Sequence, residues 1–476
     1  MTTRNEINYS NYKFQQAISR RITNIELISH LEELVKKSDG KLSLESAGKS
    51  FENRELKLVK WGIGPEKILM WSQMHGNEPT ATLALLDTLN FFNQEFTSEF
   101  VQTLYSKLSL FIIPMLNPDG AERFQRRNAL GIDLNRDALV LQSPESQTLK
   151  KSVDQIKPQW GFNLHDQNPR YSVGSTGKVA AISLLAPAFD SNRSDNEIRD
   201  RAKKLCGIIA VEVESRIGKH VGKYSDDFGP RCFGDNMQKW GVSTVLIESG
   251  GLFQEMDKPT IRELNFHAYL TSFDAIANQK VEGASTKRYD EIPFNGSMLT
   301  DLKLENVKLI WKQNENPITV DLAINFVPMM DEKTGKEKLV GVVYELGDMH
   351  SLKSIQSENW NGKTIQPTSV FLMSEPLTPG EIKKKILEGF CTFIFDETHD
   401  FVAHSPANFI HKGYSVEHNT KTLTPGERAS FRVLNADNEV EEVWINGFVV
   451  YSEKAGWVEN SAFVMPNKVK GLEVEL

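Results

Sequence analysis

The sequence predicts an α/β domain, its sheet covered by helices on both faces, followed by a β-rich C-terminal domain. Three observations carry this. Short apolar runs alternate with segments of helical period between Lys67 and Ala277. After roughly Lys280 the helical spacing gives way to short β-rich runs separated by Pro and Gly turns. The chain has 476 residues, and domains usually run to about 100–200, so two or more are expected.

The elements follow in order. Asn24 to Lys37 has amphipathic spacing and reads as a helix within a lead-in of residues 1–50. Lys67 to Met74 (KILMWSQM) is a buried strand, and Thr80 to Phe92 a helix with Leu83, Leu86, Leu89 and Phe92 at helical intervals. Ser109 to Pro114 is a second buried strand. Ser143 and Pro144 supply an N-cap and a first-turn proline for another helix. Trp160 to Leu164, Ala180 to Leu185 and Val242 to Ile247 read as strands, Glu197 to Ile217 and Ile261 to Ala277 as helices. Alternation of this kind builds a sheet flanked by helices. Beyond it, Val307 to Trp311, Ile318 to Phe326, Leu339 to Leu346, Ser369 to Met373, Ser430 to Leu434 and Val443 to Tyr451 are strand-like, with one helix at Pro379 to Phe390 capped by Thr378. A sandwich is the natural architecture for such runs.

Charge and composition narrow the function. Acids outnumber bases by 63 to 55, a net charge of −8, so a basic nucleic-acid-binding surface is not expected. No apolar stretch is long enough to cross a bilayer, so no membrane partner is expected. Met1 to Tyr12 is polar, and Cys206, Cys232 and Cys391 form no CxxC pair; together these lead to the expectation of a cytoplasmic protein without a disulfide framework.

The richest chemistry lies at the carboxyl ends of the expected strands, where sites of open α/β sheets gather. His75-Gly76-Asn77-Glu78 follows the first strand. A histidine and a carboxylate three residues apart can face one side of a turn, and zinc favours such nitrogen and oxygen donors. A third ligand is needed, and His165, ending the strand Trp160 to Leu164, is the candidate. Alone, a His and Glu at this spacing are commonly a surface pair. Asn117-Pro118-Asp119-Gly120 follows the second strand and reads alone as a turn. Downstream come Arg126-Arg127-Asn128 and Asp133-Leu134-Asn135-Arg136. Glu248 closes the strand Val242 to Ile247, where a carboxylate could act as general base.

In this order, GKSFENREL, HGNE, NPDG, R-x-N-x-x-G-I-D-L-N-R, LH and IESGG resemble the zinc carboxypeptidases of the carboxypeptidase A and B family, over roughly Leu42 to Ala277. The resemblance implies a mixed central sheet flanked by helices, with residues 51–283 as the catalytic domain and 284–476 as the β-rich domain. It implies one zinc ion held by His75, Glu78 and His165, with Glu248 as general base for a zinc-activated water. Arg126 would stabilise the oxyanion, with Arg127 as the alternative. Asn135 and Arg136 would grip the terminal carboxylate of a peptide, and Asp133 would orient a ligand histidine. A substrate-capping tyrosine is usual upstream of the base, and Tyr224 lies at that distance. The specificity pocket maps within Gly229 to Trp240, where Phe233 and Met237 suggest an apolar preference.

The implied activity is hydrolysis of the C-terminal peptide bond of a substrate with a free carboxylate. Zinc-dependent deacylation of small N-acyl amino acids, as in aspartoacylases and succinylglutamate desuccinylases, is the alternative within the metal fold. A binding module with a vestigial site is the alternative outside it. A second acid- and histidine-rich run, Asp396, Glu397, His399, Asp400 and His404, reads as a solvated loop.

Overall fold

A computed structural model describes residues 7–17, 19–253, 255–311, 316–330, 337–395, 407–411 and 423–458. The run from Asp396 to His404 lies outside the described residues. The chain divides into two compact units, Met1–Ser297 and Met298–Leu476. No helix among the described residues is long and apolar enough to cross a membrane.

The first unit opens with α1 (Asn24–Lys37), β1 (Leu42–Lys49), β2 (Glu55–Trp61), β3 (Glu66–Trp71), α2 (Thr80–Gln94), α3 (Glu99–Lys107) and β4 (Leu108–Ile113). It continues with α4 (Pro118–Glu122), α5 (Pro144–Ile156), β5 (Trp160–Asp166), β6 (Tyr171–Val173), β7 (Ile182–Leu185), α6 (Glu197–Ile217) and β8 (Val221–Lys223). It closes with α7 (Phe233–Lys239), β9 (Ser243–Ser249), α8 (Pro259–Ala277), α9 (Lys287–Asp290) and β10 (Asn295–Met298). Eight strands form one mixed sheet in the order β1-β2-β4-β3-β5-β9-β7-β8. Its centre, β4-β3-β5-β9, is parallel, while β1 and β2 pair antiparallel to their neighbours and β7 is antiparallel to β9 and parallel to β8. The expected α/β architecture with a mixed sheet flanked by helices is therefore present.

Local chemistry accounts for the boundaries. Thr23 caps α1 in a capping box with Glu26, and Ser143 caps α5 with Pro144 at its first position. The central strands are buried on both faces. Ile68, Met70, Phe162, Leu164, Val245 and Ile247 join one cluster with α2, α6 and α8. Leu69 and Trp71 join Leu149, Phe233 and Met237 in another. Successive side chains of a strand point to opposite faces, so each core strand reads as a continuous apolar run.

Several strands depart from expectation, β2, β6 and β8 among them, since none of the three was read from the sequence. The lead-in is not wholly helical, because Leu42–Lys49 forms the edge strand β1. Only Leu42 of that strand is buried, so it lacks the apolar alternation that announces a strand. The HGNE segment begins just past β3, because Gln73 turns the chain with φ 44°.

In the second unit β11 (Thr300–Leu309), β12 (Ile318–Met330), β13 (Glu337–Gly347), β14 (Ser354–Asn359) and β15 (Thr364–Pro367) come first. They are followed by β16 (Ser369–Leu372), α10 (Pro379–Glu388), β17 (Phe390–Phe395), β18 (Asn408–His411), β19 (Phe431–Leu434), β20 (Val440–Ile445), β21 (Phe448–Ser452) and β22 (Gly456–Trp457). Nine strands make one sheet, and β16, β17 and β18 a parallel three-stranded one. Thr378 forms the expected cap of α10, again as a capping box. The expected single strand Val443 to Tyr451 is a hairpin: Asn446 and Gly447 both take positive φ, 55° and 81°. An Asn-Gly pair favours this tight turn.

Candidate functional site

The site is built from loops packed against one another at the carboxyl ends of β3, β4, β5 and β9. Gly76 lies so close to α4 that a Cβ would stand 2.1 Å from the Gly120 carbonyl carbon. Only glycine fits there, which explains the glycine of the HGNE motif. Asn117 caps α4 by accepting from Gly120 N at 2.9 Å, and its Nδ2 donates to Met74 O and Arg126 O, both at 3.3 Å. The loops bearing His75 and Arg126 are thereby tied together. Asp119, fully buried, accepts from Ser50 Oγ and Arg54 Nη1, each at 2.7 Å, and from Glu52 N at 3.0 Å. The NPDG segment, a common turn when taken alone, is thus the joint of the site.

His75, Glu78 and His165 come together, each less than a tenth exposed. One donor atom from each lies within 4.8 Å of the others. His75 Nδ1 stands 2.8 Å from Glu78 Oε1, and His165 Nδ1 2.8 Å from Glu78 Oε2. His75 Nε2 donates to Asp133 Oδ1 at 3.0 Å, which leaves the lone pair on Nδ1. Arg126 Nη1 donates toward that same Nδ1 at 3.2 Å. A lone pair facing a carboxylate needs a shared proton or a cation between them.

Electrostatics agree. Burial pulls the His75 pKa down, yet the Glu78 charge and the Asp133 hydrogen bond outweigh it and hold it above the usual value. Burial raises Glu78, but the two histidines more than reverse this and hold it low. His165 is lowered by burial despite Glu78, and its Nε2 has no hydrogen-bond partner. The donor set of two imidazole nitrogens and one carboxylate is one that holds zinc and leaves a position open. The residues present fit that ion.

Glu248 pairs with His165 across β5 and β9. Burial first, then the charges of Glu78 and Asp166, push its pKa well above the usual carboxylate value, and its Oε2 has no partner. Arg126 holds Asp133 with Nε at 3.1 Å and Nη2 at 2.9 Å, and remains 44% exposed. Arg127 instead donates to Gly131 O at 2.9 Å, within its own loop. Asp133 caps the 3-10 turn Leu134–Arg136. Asn135 Oδ1 accepts from Phe233 N at 3.0 Å, while Arg136 Nη1 donates to Asn135 O at 2.8 Å and lies 3.3 Å from Cys232 Sγ. Tyr224 follows β8 directly and meets Tyr171 edge-on at 6.0 Å. Burial, then the Glu248 charge, raises its hydroxyl pKa.

Phe233 and Met237, expected to line a specificity pocket, have fully buried side chains in the core cluster with Leu69 and Trp71. Asp166, which directly follows His165, donates its backbone N–H to Glu78 Oε2 at 3.2 Å. Its polarity was the only sign of this in the sequence.

Residues 27–162 match the family model described as zinc carboxypeptidase. That segment carries His75, Glu78, Arg126, Asp133, Asn135 and Arg136. Carboxypeptidase 2 of Trichophyton tonsurans is 28% identical over 161 residues, 33% of this chain and 28% of that protein. Carboxypeptidase A2 of Rattus norvegicus is 29% identical over 108 residues, 22% of this chain and 26% of that protein. The chain thus spans under a third of the length of these curated relatives. A solved metallo-carboxypeptidase from Burkholderia cenocepacia aligns at 18% identity over 54% of this chain and 69% of that one, with a TM-score of 0.42. The resemblance read from the six motifs is borne out as a match of residues 27–162, within the first unit, to the zinc carboxypeptidase family model.

Proposed function

We propose that this protein is a zinc-dependent metallocarboxypeptidase that hydrolyses the C-terminal peptide bond of peptides. The observation that carries the reading is the convergence of His75 Nδ1 and His165 Nδ1 on the two oxygens of Glu78, each at 2.8 Å. These three residues would hold the ion, and Asp133 would fix the tautomer and ring orientation of His75. Zinc held there would supply Lewis-acid activation of water and of the scissile carbonyl.

The chain's own residues supply the rest. Glu248 has an unpartnered buried oxygen across the strand pair from His165, suited to accepting the proton of an attacking water and returning it to the departing amine. Arg126 presents an exposed guanidinium beside His75 and Glu78, where negative charge develops on the carbonyl oxygen. Arg136 offers a fork for the substrate's terminal carboxylate. The backbone of Phe233 occupies Asn135 Oδ1, so the Asn135 amide is oriented with Nδ2 available to donate to the same carboxylate. Tyr224 would cap the bound chain end.

Peptides that differ only in a free or amidated C-terminus test the reading. Cleavage releasing the last residue of the free form alone is expected. Equal turnover of both, or release of an acyl group from small N-acyl amino acids alone, would overturn it.

A further inference from the structure

The buried charges behind the metal-ligand candidates converge on the carboxylate of Asp166. Its Oδ2 accepts from Thr80 Oγ1 at 2.6 Å and from Lys258 Nζ at 3.0 Å, and stands 3.6 Å from Arg20 Nη2. The Asp166 and Lys258 side chains are only 5% and 6% exposed. Charges so far from water persist where close partners offset their desolvation.

The partners come from three separate stretches of chain. Thr80 is the first residue of α2, two positions after Glu78. Lys258 lies in the segment that follows Glu248, and its Nζ also donates to Ser249 O at 3.1 Å. Arg20 belongs to the N-terminal segment, and its Nη1 donates to Met256 O at 3.1 Å. One carboxylate therefore joins the turn carrying Glu78, the strand end carrying His165 and the segment leaving Glu248. The backbone N–H of the same residue donates to Glu78 Oε2 at 3.2 Å. Lys258 takes a left-handed conformation, φ 49°, as the N-cap of α8. A lysine holds such a conformation where its surroundings over-determine it.

We propose that Asp166, locked by Lys258 and Arg20, is a positioning residue that keeps Glu78 aimed as a metal ligand. This rests on the reading of His75, Glu78 and His165 as zinc ligands. Asp166 acts through Glu78: its fixed side chain sets the peptide whose N–H restrains one Glu78 oxygen. Removing the outer partner of a metal ligand typically costs about 10–100-fold in metal affinity.

The test is zinc affinity, measured by chelator competition on the full chain, for the unaltered protein, Lys258→Met, Lys258→Arg and Asp166→Asn. Both Lys258→Met and Asp166→Asn are expected to bind zinc about 10–100-fold more weakly. Lys258→Arg, which keeps the ion pair, is expected to recover most of the loss. A merely structural role would lower the unfolding midpoint and leave the zinc affinity of the folded chain unchanged. Arg20→Met removes the more exposed cation and decides the question if Lys258→Met fails to fold. Zinc affinities within twofold of the unaltered protein would overturn the positioning role alone. Absence of stoichiometric zinc from the unaltered protein would overturn the ligand reading and this inference with it.

Discussion

His165 and Glu248 are register partners on the adjacent parallel strands β5 and β9, so both side chains rise on the same face of the sheet. A ligand candidate and a base candidate separated by more than eighty residues of sequence are thereby fixed one strand spacing apart. Neither placement depends on a loop, which suits a site that must hold its geometry.

Glu248→Gln keeps the shape of the side chain and removes its basicity. Zinc content is expected to stay at the unaltered level while kcat falls by about 10²–10⁴-fold. Metal analysis alongside steady-state kinetics checks this; full turnover in the variant would exclude Glu248 as base.

Arg126→Met should lower kcat by about 10²–10³-fold, the usual effect of losing one oxyanion donor. Because Arg126 also braces Asp133 through two contacts, Arg126→Lys should recover only part of the rate. A change confined to KM would assign Arg126 to substrate binding instead.

Arg136→Met should raise KM for peptides with a free C-terminus by about 10–100-fold, the loss of one or two charge-assisted hydrogen bonds. Discrimination against amidated peptides should shrink in step. Kinetics on matched free and amidated pairs read both effects, and unaltered discrimination would place the carboxylate elsewhere.

Zinc affinity should depend on pH with a definite sign. The ligand form of His75 is deprotonated at Nδ1, and Glu78 and Asp133 hold its pKa above the usual value against the pull of burial. Protons therefore begin to compete with the metal above about pH 6.5, the ordinary histidine value, and affinity falls as pH is lowered through that range. Calorimetric titration at several pH values measures the slope; affinity flat between pH 5 and 8 would contradict it, those limits being about 1.5 units either side of the same value.

Stability of the first unit has its own test. Arg262 Nε lies 2.6 Å from Asp87 Oδ2, with both side chains at most 3% exposed. Arg262 also donates to Ala17 O at 2.6 Å, and Tyr9 Oη donates to Asp87 at 2.8 Å, so the pair straps the N-terminal segment onto α2 and α8. Arg262→Met leaves a buried carboxylate unpaired and should cost about 3–5 kcal/mol. The double variant with Asp87→Leu should lose less than the two single changes added together, as read from urea unfolding midpoints.

The sequence made legible what local periodicity encodes. Glu197–Ile217 and Asn24–Lys37 were readable to the residue because amphipathic spacing and caps coincide at their ends. The edge strand Leu42–Lys49 and the helix Glu99–Lys107 were not, since the strand buries one side chain and the helix two. Asn446-Gly447 carried a hairpin signal that splits the run Val443 to Tyr451, and the apolar residues on both sides masked it. Candidate ligands were legible because their motifs recur in order. The hold of Lys258 and Arg20 on Asp166 was not, because it joins residues as much as 238 positions apart whose types are ordinary surface charges.

The most direct test is anomalous diffraction at the zinc absorption edge from crystals of the full chain. One peak per chain is expected, coordinated by His75 Nδ1, Glu78 and His165 Nδ1, with its remaining side toward Glu248. A stoichiometric peak bound elsewhere, or no peak after zinc is supplied, would contradict the assignment of these three residues to a single ion.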